Sequence, residues 1–321
     1  MNIRIFKAAG RQAFALAAII AVSSFIYGCE TRDDRSDCTV EMAFRFEYVL
    51  NKDRTDYFTG KAEQVDLYIY NSRGAFVKKV HASRAAGTLG SDNSVSVTLP
   101  HGHFTAVAWA NCNDDFDCMY DCNIENKRVN LKTQGGQVAA APSDLMHGKT
   151  GFIANNKESQ AGEIVIGMTK NTNKVTVVLH TSGNLSPVED NAFTIGITGS
   201  NGTYKYDNSL ADSGLLNYIP QYSRPSANRF EAEFNVMRLL CDDDTKLSLG
   251  RTGTRAGIAL PLEESLTGAI MRHPDYNTDQ DLDRYDDYVL EYEVDLSNEN
   301  AATAVLIKVN DWSVVEQGGG L

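Results

Sequence analysis

Residues 95–110 read VSVTLPHGHFTAVAWA, which predicts two neighbouring strands joined by a turn. Over residues 95–99, Val and Leu alternate with Ser and Thr, as expected for a strand with one buried face. Pro100–His103 forms the turn, because proline and glycine are common turn residues. Phe104–Ala110 follows and is apolar on both faces. It therefore predicts a central strand of a packed sandwich.

Working outward, the same period of two recurs along most of the chain. Val40–Tyr48 alternates apolar and polar residues, and Val65–Val80 reads as a hairpin around a turn at Asn71–Gly74. Further strand patterns occur at residues 163–168, 173–180, 193–197, 230–240, 245–249, 257–260, 288–296 and 304–309. Because no regular helices intervene, the sequence predicts an all-β protein built from sandwiches.

Two regions depart from this pattern. Residues 111–163 are rich in Asn, Asp, Gly and Ala, and they predict long loops with at most one short helix. Leu262–Met271 is the one helical candidate. We place a domain boundary near residues 165–172, which divides the chain into an N-terminal β-sandwich domain (residues 38–168) and a C-terminal one (residues 169–321).

The N-terminus has the layout of a secretory signal. Three basic side chains come first, and a run of fifteen predominantly apolar residues follows at Ala13–Tyr27. Gly28 and Cys29 then resemble the cleavage site of a bacterial lipoprotein. We expect a lipoprotein signal peptide over residues 1–28 and an acylated Cys29 held in the outer membrane by its acyl chains. The alternatives are an ordinary signal peptide with an incidental cysteine, or a membrane-spanning helix, for which fifteen residues fall short of the ~20 required.

Residues 29–37 form a polar, acidic tether. Its acidic residues, Glu30, Asp33 and Asp34, resemble the segment that directs lipoproteins of the Bacteroidetes to the outer leaflet. We therefore expect a lipid-anchored protein exposed at the cell surface. The formal net charge is −12, and loss of the three basic signal-peptide residues would make it −15. Such an acidic surface disfavours nucleic acid as a partner, because the two would repel.

Six cysteines are present, and lipidation of Cys29 leaves five, which is odd for a protein expected outside the cytoplasm. Possible disulfides involve Cys38, Cys112, Cys118 and Cys122. Spacing does not determine the pairing, but we favour a bond from Cys38 to one of the other three. A zinc site at the three clustered cysteines is the alternative.

A second candidate metal site is an acidic segment in the C-terminal half. Its oxygen-bearing side chains follow the spacing of a twelve-residue calcium loop, and they include Asp275, Asn277, Asp279, Asp281 and Asp286. Gln280 stands where such a loop needs glycine, and the last position is Asp instead of Glu. A solvated acidic loop is therefore the favoured interpretation. Since no nucleophile elbow, phosphate loop, dinucleotide motif or zinc-protease motif occurs, we predict no enzymatic activity and no cofactor.

Several motifs, taken in order, resemble the FimB-like fimbrial anchor subunits of Bacteroidales, the lipoproteins at the base of type V pili. They are the lipobox cysteine with Cys38 close behind, FRFEY at residues 44–48, VDLYIYN at 65–71 with GAFV at 74–77, VTLPHGHFTAVAWAN at 97–111, DLMHG at 144–148 and IKVNDW at 307–312. The resemblance covers nearly the whole chain after residue 28.

The resemblance implies two tandem transthyretin-like β-sandwich domains and a non-enzymatic role. Such a protein would anchor a fimbria to the outer membrane and terminate its assembly, contacting shaft subunits by β-strand addition or docking. The second hypothesis is a lipid-anchored adhesin or carbohydrate-binding module on the same fold. A glycosidase is the third, since aspartates abound, but no pair of carboxylates is singled out.

Overall fold

The computed structural model describes residues 38–118, 122–138, 142–182, 193–251, 262–297 and 302–314. In chain order, the strands β1 to β23 span Thr39–Glu47, Gln64–Asn71, Phe76–Ser83, Ser94–Pro100, Gly102–Ala110, Phe116–Asp117, Arg128–Leu131, Gln137–Val138, Met146–Ala154, Ile164–Gly167, Thr169–Lys170, Thr172–Ser182, Phe193–Gly199, Thr203–Lys205, Leu210–Ala211, Leu216–Tyr218, Gln221–Ser226, Arg229–Met237, Lys246–Arg251, Leu262–Ser265, Asp287–Asp295, Thr303–Val309 and Trp312–Ser313. The helices α1 to α4 span Phe58–Lys61, Asn156–Ala161, Leu266–Ile270 and Asp279–Arg284, and a 3₁₀ turn spans Ile124–Asn126. The predicted all-β class is confirmed.

Two sheets in the first half face each other. One has the strand order β10-β1-β4, and the other has the order β11-β9-β5-β2-β3. Alternate residues of β1, including Met42, Phe44 and Phe46, are fully buried between them. Leu67 and Ile69 of β2 complete this core from the opposite sheet. The alternation seen in the sequence therefore sets which face of each strand is buried.

Strand β5 is the central strand that the sequence predicts. It pairs with β9 on one side and with β2 on the other. Ala106 and Ala108 face the core of the first sandwich, whereas Val107 and Trp109 point to the opposite face and join a second core. Because both faces of β5 are covered, the strand reads as a continuous apolar run.

A four-stranded sheet, β15-β14-β7-β6, joins strands of both halves, and the second half also contains a six-stranded and a five-stranded sheet. Their strand orders are β17-β18-β12-β21-β22-β23 and β20-β19-β13-β16-β8. Strand β12 lies centrally, antiparallel to β18 and parallel to β21. Its Val175, Val177 and Leu179 belong to one buried cluster with Ile195 and Ile197 of β13. The predicted strand at residues 257–260 lies outside the described residues.

The prediction of loops over residues 111–163 is wrong in two places. Met146–Ala154 forms the nine-residue strand β9, although it contains two glycines and a lysine. The short strands β7 and β8 pair with β14 and β16, which belong to the second half. Strands of two to four residues carry too little alternation to be read from sequence. Because these pairings join the two halves, the division at residues 168 and 169 stays a prediction.

The prediction of a helix over Leu262–Met271 is only partly correct. Leu262–Ser265 is the edge strand β20, and the helix α3 begins only at Leu266. Ser265 caps this helix, since its side chain accepts a hydrogen bond from the N–H of Gly268. Within the described part of the chain, no helix has the length and apolar character needed to cross a bilayer.

Candidate functional site

The described chain begins at the end that would carry the tether. Cys29, Glu30, Asp33 and Asp34 lie outside the described residues, and β1 starts directly after Cys38. Strand β1 pairs with β4 at every position from Thr39 to Arg45 and with β10 from Phe44 to Glu47. Ladder hydrogen bonds lie roughly across the strands, so a pull along β1 loads many of them together. Hydrogen bonds therefore hold β1 to a neighbouring strand on each side.

The structure pairs Cys112 with Cys118, with their Cα atoms 6.4 Å apart. Cys38 and Cys122 are free and exposed, and Cys241 is free and half-buried. The predicted bond from Cys38 to Cys112, Cys118 or Cys122 is therefore wrong. No group of three or more metal-binding side chains is found among the described residues.

The position of Cys38 explains this correction. Thr39 pairs with Pro100, so Cys38 lies beside the start of β5, whereas Cys112 follows its end. A nine-residue strand is about 30 Å long at about 3.3 Å per residue. That separation is far beyond the Cα spacing that a disulfide allows.

The acidic segment predicted as a calcium candidate does not form a common centre. Asp281 accepts hydrogen bonds from the N–H and the hydroxyl of Thr278, the N-cap of helix α4, and so completes a capping box. Asp279 accepts one from the N–H of Cys241, and Asp286 accepts one from the hydroxyl of Tyr48. Asp275 and Asn277 lie before the helix and make only local bonds. The calcium-like spacing therefore corresponds to a capped helix whose carboxylates have separate partners.

Asn111, the last residue of the VTLPHGHFTAVAWAN motif, joins three segments of the chain. Its φ of 56° is left-handed, a conformation that Asn tolerates better than most residues. Its side-chain oxygen accepts from the N–H of Glu63, and its amide donates to the carbonyls of Lys61 and Asp144. The motif thus fixes the turn after β5 to helix α1 and to the segment before β9.

His147, in the DLMHG motif, lies buried between the two halves. Its Nε2–H donates to the main-chain oxygen of Tyr206, 2.9 Å away, and its ring packs 4.6 Å from that of Trp109. Burial lowers the pKa of His147 to about 4, and the nearby charge of Arg238 acts in the same direction. The imidazole is therefore neutral at physiological pH.

Polar contacts across the junction of the halves accompany this histidine. The ammonium group of Lys170 lies 3.2 Å from Asp286 and 3.7 Å from Asp144. The hydroxyl of Tyr48 donates to Asp286, and burial together with this carboxylate raises the pKa of Tyr48. These contacts link the end of β1 to the segment before β21.

A second ion pair lies deeper in the same region. Arg238 donates two hydrogen bonds to Asp283, at 2.6 and 2.7 Å, and both side chains are largely buried. Burial raises the pKa of Asp283, and the bonds from Arg238 oppose that rise. The two residues stand 45 positions apart in different patterns. No sequence signal pairs them.

Sheet edges are the candidate sites for strand addition, and the outer strands β3, β4 and β17 carry protective features. Strand β3 presents Lys78 and Lys79, and the first of these reaches the main-chain oxygen of Thr98 on the neighbouring edge strand β4. That edge ends at Pro100. The β3–β4 side is therefore protected against an incoming strand.

In the second half, a tyrosine closes a short open edge. The hydroxyl of Tyr222 accepts from the N–H of Ile195 and donates to its carbonyl, at 3.0 and 3.1 Å. It therefore occupies the main-chain groups of β13 beyond the end of β16. The edge strand β17, which carries this tyrosine, has a register shift between Ser223 and Ser226, and such irregularities also discourage pairing.

The comparisons with known proteins agree with this architecture. The family model for fimbrillin-A associated anchor proteins Mfa1 and Mfa2 matches residues 35–318. No curated protein sequence matches the chain significantly.

Solved structures show the same fold at low identity. The fimbrial anchor protein Mfa2 from Porphyromonas gingivalis superposes with a TM-score of 0.71 at 18% identity, covering 86% of this chain and 99% of that one. A protein from Bacteroides thetaiotaomicron, described as a candidate polysaccharide-binding protein, gives 0.73 at 21% identity with coverage of 86% and 99%. A candidate adhesin from the same species gives 0.68 at 21% identity with coverage of 85% and 96%.

The resemblance inferred from the motifs is thus confirmed over most of the chain. The protein belongs to the family of fimbrillin-A associated anchor proteins Mfa1 and Mfa2.

Proposed function

We propose that this protein is a surface lipoprotein that anchors a fimbria to the outer membrane and terminates its assembly. In this proposal Cys29 carries the acyl chains, and Glu30, Asp33 and Asp34 direct the protein to the outer leaflet. Residues 38–168 and 169–321 act as two transthyretin-like β-sandwich domains that contact shaft subunits by strand addition or docking. The proposal includes no catalytic role and no cofactor.

The observation that carries the proposal is the place of β1 beside the tether. A fimbrial anchor transmits force from the shaft to the lipid, so the strand next to the lipid must resist extraction. Strand β1 is the middle strand of its sheet, and Phe44 and Phe46 hold it in the core. A strand with partners on both sides and buried aromatic side chains suits this task better than an edge strand does.

The second candidate is a lipid-anchored adhesin or carbohydrate-binding module. One observation favours it: Trp312, on the edge strand β23, is 46% exposed and could stack on a sugar ring. The other tryptophan, Trp109, is completely buried. Binding to a glycan array that is lost on Trp312→Ala, without any fimbrial partner, would favour this candidate over the anchor.

The experiment that tests the proposal removes the protein from a fimbriated strain. We expect fimbriae to be shed into the medium and to grow longer than normal, because nothing retains or terminates them. Fimbriae of normal length that stay on the cells would contradict the proposal. Mass spectrometry of the mature N-terminus tests the lipid separately, with acylated Cys29 as the expected result and an unmodified terminus as the contradicting one.

A further inference from the structure

One long sheet edge has no partner strand among the described residues. Strand β9 pairs with β5 over its whole length, but β11 covers only Met146 and His147 on the other side. The N–H of Asn171 donates to the carbonyl of Leu145, so odd-numbered residues direct their main-chain groups to that side. Lys149, Gly151 and Ile153 therefore point their N–H and C=O groups away from β5. These three residues are all exposed.

This edge forms one wall of a cleft, and β10 forms the other. Strand β10 pairs with β1 on its far side and comes close to β9 at Gly148, where an added Cβ would lie 2.6 Å from Ile166. Helix α2 connects the end of β9 to the start of β10. The space between β9, helix α2 and the start of β10 measures about 360 Å³, within the range of ligand pockets (about 300–1,000 Å³). We call it the β9–β10 cleft, and it is lined by Gly151, Phe152, Ile153, Glu158, Glu163 and Ile164.

The floor of the cleft is apolar and fixed in place. Phe152 stacks on Phe104 at 5.6 Å between ring centroids and meets Phe44 edge-on at 5.0 Å. Ile153 is 40% exposed, and its side chain lies on the opposite face of β9 because successive side chains of a strand alternate. Helix α2 is tied to β1, because the hydroxyl of Ser159 donates to the carbonyl of Glu41. Phe152 and helix α2, on two sides of the cleft, are therefore both held in place by contacts with the rest of the first half.

The open edge of β9 carries few of the features that protect a sheet edge. Gly151 has no side chain, so at the centre of this edge another backbone can approach without meeting one. Lys149, the one cation on this edge, lies with its ammonium group 4.8 Å from the ring centre of Tyr206 and so is held to one side. This edge lacks the lysine pair and the proline found on β3 and β4.

The charge at the rim indicates what kind of segment would bind. Glu158 and Glu163 are both exposed at the mouth of the cleft, in a protein with a formal net charge of −12. One cation, Arg45, lies 3.4 Å from Glu163 and balances part of this charge. An apolar floor with an acidic rim favours a strand that has apolar residues at alternate positions and a Lys or Arg at its end.

We propose that the β9–β10 cleft accepts an extended segment of a partner chain, which adds to β9 as a new strand through Lys149, Gly151 and Ile153. The segment is apolar at alternate positions, with these side chains on Phe152 and Ile164, and it carries a basic residue that meets Glu158 or Glu163. The identification of this partner as a fimbrial subunit rests on the proposed function. The prediction that the cleft binds a peptide of this chemistry does not depend on the proposed function.

The test uses the purified protein and a synthetic peptide, Lys-Val-Thr-Val-Thr-Val-Lys, followed by hydrogen exchange. We expect the amides of Lys149, Gly151 and Ile153 to exchange at least tenfold more slowly with saturating peptide. A peptide methylated on alternate backbone nitrogens should give no protection. Absence of protection by the first peptide, or equal protection by both, would overturn the proposal.

Variants separate the cleft from other surfaces. Ile153→Lys places a charge on the open edge, and Glu158→Lys with Glu163→Lys reverses the rim. All three side chains are exposed, so the fold should be retained. Each variant should weaken peptide binding at least tenfold, whereas Lys79→Glu on β3 should leave it unchanged. Equal loss in the Lys79→Glu variant would show non-specific attraction and refute the assignment.

The same variants distinguish failure of the cleft from failure of the anchoring role. If deletion of the protein sheds fimbriae but Ile153→Lys retains them, the cleft is not the fimbrial contact and the proposed function stands. If the cleft binds the peptide but deletion leaves fimbriae on cells, the proposed function fails and the cleft stands.

Discussion

The buried histidine His147 makes stability depend on pH in a way that can be calculated. Its pKa is about 4 in the folded protein, against 6.5 in an unfolded chain, so the unfolded state binds the proton first as pH falls. The free energy of unfolding is unaffected above about pH 7, decreases between 6.5 and 4, and loses nothing further from this residue below 4. A shift from 6.5 to about 4 corresponds to about 3 kcal/mol, with a slope of at most about 1.4 kcal/mol per pH unit.

The variant His147→Gln isolates this contribution. Glutamine can still donate to the carbonyl of Tyr206, but it does not titrate. Urea unfolding at several pH values, followed by fluorescence of the buried Trp109, should show the wild type losing about 3 kcal/mol more than the variant between pH 6.5 and 4. His103→Gln, which removes an exposed histidine, should keep the wild-type profile. Parallel curves for wild type and His147→Gln would refute the reasoning.

Three further substitutions test the packing around the two halves, each by urea unfolding at neutral pH. Gly148→Ala should destabilise the protein by about 1–3 kcal/mol, because its Cβ would lie 2.8 Å from the main-chain oxygen of Gly167. Gly167→Ala has open space around its Cβ and should change the free energy of unfolding little. Equal destabilisation by the two substitutions would contradict this packing argument. Arg238→Met should lower the free energy of unfolding by about 3–5 kcal/mol, because it leaves the Asp283 carboxylate buried and unpaired. The added change Asp283→Leu should restore most of this loss. No recovery would show that the unpaired carboxylate is not its cause. Tyr222→Phe should cost about 1–3 kcal/mol, since two main-chain groups of β13 lose their partner, and an unchanged midpoint would mean that water replaces the hydroxyl.

The long alternating strands were predictable from the sequence because each carries a complete pattern. Strand β1 shows four buried apolar residues at every second position, and the β2–β3 hairpin has a glycine at its turn with φ of 76°. Strand β5 was predictable for a different reason, since cover on both faces gives a continuous apolar run. In each case local pattern and tertiary burial agree.

The parts that could not be predicted depend on distant contacts or on too few residues. Strand β9 contains Gly148 and Gly151, which weaken the strand pattern, yet Gly148 is required because β10 approaches so closely. The bond between Cys112 and Cys118 spans only six positions, but several pairings fit the spacing equally well. Asp281 fits a calcium loop and a helix cap alike, and only the structure distinguishes them.

The candidate site also has residues that the sequence indicated and surfaces that it did not. The family motifs located Asn111 and His147, but not what they contact, because their hydrogen-bond partners lie 33 to 59 positions away and spacing along the chain does not pair them. The β9–β10 cleft was not predictable, since an open edge becomes visible only when every neighbouring strand has been placed. Sequence therefore indicated the family and the strands, and the structure supplied the surfaces.

The most direct test of the anchoring role replaces Cys29 by Ala in a fimbriated strain and asks where the fimbriae are. We expect folded protein in the culture medium, still attached to the ends of released fimbriae, because only the lipid has been lost. Fimbriae that stay on the cells while the unlipidated protein leaves without them would contradict it.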